Sequence, residues 1–329
     1  MNRKKELAIR TLFKFFLIAL VSSCVTAGNA EFSGYEDKRL IVQVVSLFPQ
    51  LKTPSVEDSN WTGDWIFRRE RMDLLDKQLS EIKPDIILLQ DLVFRKYSPG
   101  ESEFNLLASG ALTDYDWHIT KTGMIAETEE TTASALAMAL PLKIELLKTL
   151  NSKSKWDIGE ENSYVIFTRF KTLEGDAGFI SVKLDSLNSG FWYKRISDAI
   201  SSLISSSGIC PERFIIAGRL PEDKIEGSDY EMFSKLGFKD AASEFCSDLR
   251  VCYTEDQKNP IRRKIQTDAI NQRSLRIFVH GRTNVYSGLR NLMRTRVFPD
   301  KESKYGLKEY SASDSYGWIS SLGFPTCGS

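Results

Sequence analysis

The nine residues Lys83-Pro84-Asp85-Ile86-Ile87-Leu88-Leu89-Gln90-Asp91 decide how this chain folds. Residues 86–89 are four branched aliphatics in a row, bounded by proline and aspartate on one side and by Gln90 and Asp91 on the other. A short apolar run without alternation marks a strand covered on both faces, the condition of a parallel or mixed sheet flanked by helices. Upstream, Trp65, Ile66, Met72, Leu75, Leu79 and Ile82 recur at helical spacing among charges, and Pro84 stops the helix. Before them, residues 40–48 form a dense run of Leu, Ile and Val with one polar Gln43, which predicts a strand. Strand, helix, strand in that order predicts an α/β sheet with a helix packed on it.

Downstream, strands are predicted at residues 117–120, 135–140, 164–170, 179–184, 214–217, 274–279 and 316–321. An amphipathic helix is predicted over 191–205, with Ile196, Ile200, Leu203 and Ile204 on one face. The Glu and Thr run at 127–132 reads as a solvated loop. No low-complexity linker or break in composition interrupts the chain, so residues 40–329 are expected to form one domain.

The N-terminus has a different character. Arg3, Lys4, Lys5, Arg10 and Lys14 precede an apolar run and then small residues leading to Cys24, the order of a secretory signal. That run is far short of the roughly 20 residues that cross a bilayer as a helix. Val21-Ser22-Ser23-Cys24 resembles a bacterial lipobox, which implies a signal peptide at 1–23, lipidation of Cys24, a tether at 24–39, and export to the cell envelope. Val25 points to the outer membrane rather than the inner. Simple secretion after cleavage at Ala30 is the alternative. Removing residues 1–23 takes five basic residues and one acidic residue, Glu6, from a chain with 44 of each, which leaves a net charge near −4. Such a balance does not advertise nucleic acid as a partner. In an oxidising compartment Cys210, Cys246, Cys252 and Cys327 can form disulfides. Three pairings are possible, and the short spacing favours Cys246 with Cys252, leaving Cys210 and Cys327 to pair or remain free.

The order of these elements and their wording resemble the endonuclease/exonuclease/phosphatase superfamily. The resemblance rests on 41–48, on Arg68-Arg69-Glu70-Arg71, on the phrase at 83–91, on 135–142 and 180–185, on Phe214-Ile215-Ile216-Ala217-Gly218, on Leu236-Gly237-Phe238-Lys239-Asp240-Ala241, and on Ser313-Asp314-Ser315-Tyr316-Gly317-Trp318. It implies a four-layer α/β sandwich, two mixed β-sheets face to face with helices outside. In active members a divalent metal is held by an acidic residue after the second strand, and an aspartate with the closing histidine works on the attacking water, because phosphoester cleavage needs charge offset on oxygen and a proton taken from the nucleophile.

The matching positions of this sequence depart from that pattern. Asp91 stands at the metal-binding position. Phe48 stands near the first-strand asparagine, Lys183 replaces the strand histidine, Arg219 and Pro221 replace an aspartate and asparagine, and Ser315 replaces the closing histidine beside Asp314. His118 and His280, the two histidines of the chain, fall at no matching position. The expectation is a non-catalytic binding module without a cofactor. The alternative is a divergent Mg²⁺-dependent phosphodiesterase using Asp91, Asp314 and Asp240. Lys183 and Arg219 are candidates for binding an anion, since fixed cations can offset phosphate charge without a metal. A run rich in Lys and Arg over 258–296 reads either as a solvated face or as attraction to an anionic surface.

Overall fold

A computed structural model describes residues 39–47, 68–94, 103–125, 130–150, 163–184, 189–220, 228–246, 252–256, 258–260, 273–291, 295–297, 309–313 and 316–327. The deciding stretch is a strand with two covered faces. Ile86 and Leu88 enter one apolar cluster, and Ile87 and Leu89 enter another on the opposite side of the sheet.

One sheet contains β1 (Leu40–Ser46), β2 (Ile86–Phe94), β3 (Tyr115–Ile125), β4 (Glu130–Ala139), β11 (Asn284–Asn291) and β14 (Gly317–Gly323), in the order β11-β14-β1-β2-β4-β3. The other contains β5 (Lys143–Leu150), β6 (Tyr164–Thr172), β7 (Gly175–Lys183), β8 (Phe214–Arg219), β9 (Phe238–Asp240) and β10 (Leu275–His280), in the order β5-β6-β7-β8-β10-β9. Each is mixed: β1 runs parallel to β2 and β7 parallel to β8, while the other neighbours are antiparallel. A small ladder joins β12 (Thr295–Val297) to β13 (Glu309–Ser311).

Three apolar layers hold four layers of structure together. Val42, Leu88, Met138, Phe179, Ile277 and Trp318 fill the space between the sheets. Met72, Leu75 and Leu79 of α1 (Arg68–Ile82) and Leu107 of α2 (Glu103–Ala108) pack on the first sheet. Ile196, Ile200 and Leu203 of α3 (Ser189–Ser207) and Phe233 of α4 (Ser228–Lys235) pack on the second. The expected α/β sandwich is therefore the observed one. Among the described residues no helix is long and apolar enough to cross a membrane.

Two expectations need correction. The solvated loop at 127–132 is in part strand, because β4 begins at Glu130 and pairs Thr131 and Thr132 with β2 and β3. Polar β-branched threonines suit a sheet's extended backbone. Strands β5 and β11, which lack the dense aliphatic runs of the core, were not expected; both lie at sheet edges.

At the entry to β2, Lys83 takes φ 49° and closes α1, its N–H donating to Leu79 O at 2.8 Å. Asp85 then accepts the Ile41 N–H at Oδ2 over 2.7 Å, which fixes β1 against β2. Burial raises the Asp85 pKa above its usual value, against the lowering effect of backbone N–H donors. Tyr115 donates to Pro84 O at 2.6 Å, and burial together with the Asp85 charge pushes its phenol up to about 12.

The expected Cys246–Cys252 disulfide is present, and Cys210 and Cys327, which the sequence left to pair or remain free, are bridged as well. The signal peptide, Cys24 and the tether up to residue 38 lie outside the described residues, as do Phe48, Pro221, Asp314 and Ser315.

Candidate functional site

Strand β2 changes direction near its end. Leu89 and Leu92 are three positions apart, whereas their partners Ala135 and Ala133 on β4 are two apart, and Asp91 in the resulting bulge takes φ 61°. Aspartate tolerates this left-handed region better than most residues, and a bulge re-aims the side chain it carries. Asp91 meets Lys183, the last residue of β7. Lys183 Nζ lies 2.5 Å from Asp91 Oδ1, and the Ser46 hydroxyl donates to Oδ2 at 2.7 Å. Both charged side chains are about 95% buried, at 4% and 5% exposure.

Neighbouring groups hold this pair in place. Gln90 Nε2 donates to Tyr164 Oη and to Val182 O, each at 3.0 Å. Room for that amide comes from Gly218, whose φ is 139° and where a Cβ would sit 1.9 Å from Val182 O and 2.8 Å from Gln90 Nε2. Ser313 Oγ donates to Ser46 O at 2.6 Å, and Asn259 Nδ2 donates to Ser313 O at 2.8 Å. The closing signature thus reaches the site through Ser313.

Arg219 stands beside Lys183, its partner in the parallel register of β7 and β8. Its Nη2 is 3.2 Å from Oε1 of Glu255, a residue that is 1% exposed. The next residue, Asp256, receives Arg290 Nη1 at 2.7 Å. Three carboxylates therefore answer three cations at the end of the sandwich where β2, β7 and β8 finish. Asp240 belongs to a different cluster, accepting from Arg273 and, at 3.0 Å, from Arg276 Nε, both buried.

A divalent ion does not fit the described residues. Magnesium asks for near-octahedral oxygen ligands, but both oxygens of Asp91 are engaged, one by an ammonium. Among the described residues no group of three or more His, Cys, Asp or Glu is placed to hold an ion.

Sequence reasoning placed Asp91, Lys183 and Arg219 at one end and missed Ser46, Glu255, Asp256 and Arg290. The adjacent acids after Thr254, immediately ahead of the basic run, were the available signal. The solvated-face reading of that run is corrected for Arg273 and Arg276, which are buried against Asp240, and for Arg290, a partly buried residue whose covered guanidinium meets Asp256, while Arg282 is exposed.

Similar solved structures give the architecture its name. A protein of the endonuclease/exonuclease/phosphatase family from Bacteroides thetaiotaomicron aligns over 87% of this chain and 98% of its own, with a TM-score of 0.61 and 15% identity. This is the endonuclease/exonuclease/phosphatase fold. Truncated TDP2 from Caenorhabditis elegans aligns over 88% of this chain and 100% of its own (TM-score 0.58, 14% identity). The catalytic domain of human Nocturnin, solved with a bound sulfate anion, aligns over 88% and 94% (TM-score 0.57, 14% identity). No family model matches the sequence, and no curated protein is significantly similar to it. Identities this low establish the endonuclease/exonuclease/phosphatase fold and leave activity to be argued from the site.

Proposed function

We propose that this chain is a lipid-anchored protein of the bacterial cell envelope that keeps the endonuclease/exonuclease/phosphatase fold as a binding or interaction module and hydrolyses no phosphoester. One observation carries the reading: the Lys183 ammonium lies 2.5 Å from the Asp91 carboxylate, at the position where the resemblance expects a metal. A fixed cation offsets negative charge but activates no water, and it repels a divalent ion. Lys183 also stands where the strand histidine is expected, so the metal and a polar group of the reaction are lost in one substitution. Any anionic ligand at this end meets Lys183 and Arg219 by displacing Asp91 and Glu255.

The purified mature protein is expected to show no Mg²⁺-dependent hydrolysis of nucleic acid, phosphomonoesters or sphingomyelin. Robust turnover abolished by Asp91→Ala would instead favour the divergent phosphodiesterase. Anchoring is tested separately: Cys24→Ala should move the protein out of the membrane fraction, since acyl chains contribute about 0.8 kcal/mol per buried CH₂.

A further inference from the structure

The segment that neutralises Arg219 and Arg290 is tied down by one disulfide. Cys252 is bridged to Cys246, six positions earlier, and Tyr253, Thr254, Glu255 and Asp256 follow it directly. These residues form a strap laid over strand ends. Thr254 Oγ1 accepts the N–H groups of Ser274 at 2.9 Å and Leu275 at 3.1 Å, and its carbonyl accepts Tyr316 N–H at 2.7 Å. Glu255 holds Arg219, Asp256 holds Arg290, and Arg290 also donates to Tyr253 O at 2.8 Å. The strap thus presents two carboxylates to two guanidiniums, the groups best shaped to bind an oxyanion in two-pronged fashion.

The bridge has a cation beside it. Arg273 Nη1 donates to Cys246 Sγ at 3.7 Å. Positive charge next to a cysteine sulfur favours the thiolate, which stabilises the reduced form and makes sulfur a better leaving group.

We propose that Cys246–Cys252 is a redox latch that keeps this strap over an oxyanion site. The inference rests on the reading above, that this end of the sandwich binds rather than hydrolyses. A dithiol reductant opens the latch: its thiolate attacks one bridge sulfur, its second thiol resolves the mixed disulfide, and two electrons and two protons pass to the cysteines. The reductant leaves as a disulfide, and Cys246 and Cys252 become thiols. Once released, the strap withdraws Glu255 and Asp256, and Arg219 with Arg290 accepts a tetrahedral phosphate-type group.

The test uses the whole mature chain in oxidised form, after dithiothreitol, and as Cys246→Ser/Cys252→Ser, with Cys210→Ser/Cys327→Ser as the control bridge. Opening the latch is expected to lower hydrogen-exchange protection of the Ser274, Leu275 and Tyr316 amides about tenfold or more, with β1 and β2 unchanged. Saturable binding of inorganic phosphate should appear with it, be absent from the oxidised and control-bridge proteins, and be lost in Arg290→Ala. Phosphatidylglycerol vesicles form a second arm: binding to vesicles alone assigns the phosphate group to a lipid surface, and binding of inorganic phosphate assigns it to a soluble ligand. Unchanged protection and no binding in Cys246→Ser/Cys252→Ser overturn the latch. If that variant does not fold, Glu255→Gln/Asp256→Asn with both bridges intact decides, phosphate binding supporting the proposal and its absence overturning it. Mg²⁺-dependent turnover by the oxidised protein would defeat the non-catalytic reading instead, while inertness in every arm defeats the latch alone.

Discussion

Strand β2 carries a buried aspartate at each end, and the two are handled in opposite ways. Asp85, at the entry, accepts a backbone N–H from β1, and burial holds its pKa up, so the protonated form is the one the fold tolerates best. Asp91, at the exit, sits in a left-handed bulge against an ammonium and a hydroxyl. A carboxyl that only clamps two strands needs an amide donor. One placed where a metal is expected needs a positive charge, and here the protein supplies that charge itself from a strand of the other sheet.

The comparison breaks most sharply at Lys183. Removing one partner of a buried ion pair leaves the other uncompensated, at a cost of about 3–5 kcal/mol, whereas replacing both by apolar groups is often neutral. Lys183→Met should therefore lower unfolding free energy by that amount, and Asp91→Leu/Lys183→Met should recover most of it. Chemical denaturation of the four proteins in this cycle measures the coupling; additive losses would mean that the pair contributes no mutual stabilisation.

At the other end the expected change is smaller and depends on pH. With its folded pKa raised, Asp85 holds its proton more tightly in the native state than in the unfolded chain. The resulting stabilisation is complete below the ordinary carboxylate value of about 3.9 and is lost as pH rises through the folded value. Asp85→Asn keeps an acceptor for Ile41 without a charge to bury, so its stability relative to wild type should rise across this window. The gain should be smaller than the loss at Lys183. Denaturation curves from pH 3 upward check the sign, and a constant difference would show that Asp85 does not titrate with folding. Tyr115 carries the same sign at high pH, its stabilisation being lost as pH passes from about 10 to about 12.

The sequence made the clamp end more legible than the site end. The sandwich follows from local pattern: residues 86–89 have no polar alternation, and α1 and α3 show helical spacing. Asp91 and Lys183 could be placed because each stands in a recognisable phrase of the sequence. What pairs them was not legible. Lys183 is 92 positions from Asp91 and on the other sheet, and Glu255 lies 36 beyond Arg219 outside any strand, so these contacts depend on tertiary packing rather than on spacing. The basic run misled for the same reason, since Asp240 and Asp256, which draw Arg273, Arg276 and Arg290 inward, belong to other segments.

The smallest effect expected is the response to divalent ions, and it discriminates between the two readings of Asp91. A ligand that binds only the native state stabilises it by RT ln(1 + [L]/Kd), about 2.7 kcal/mol at a hundred times Kd. If Asp91 were a metal ligand, millimolar Mg²⁺ or Mn²⁺ would raise the melting temperature by several degrees, and Asp91→Asn would abolish the rise. With Lys183 already on that carboxylate, an incoming ion must expel a buried ammonium before it gains a single oxygen. The melting temperature should therefore not move with either ion beyond what matched ionic strength produces, in the wild type and in Asp91→Asn alike. A rise confined to the wild type would put a metal back at the exit of β2 and remove the contrast between the two aspartates.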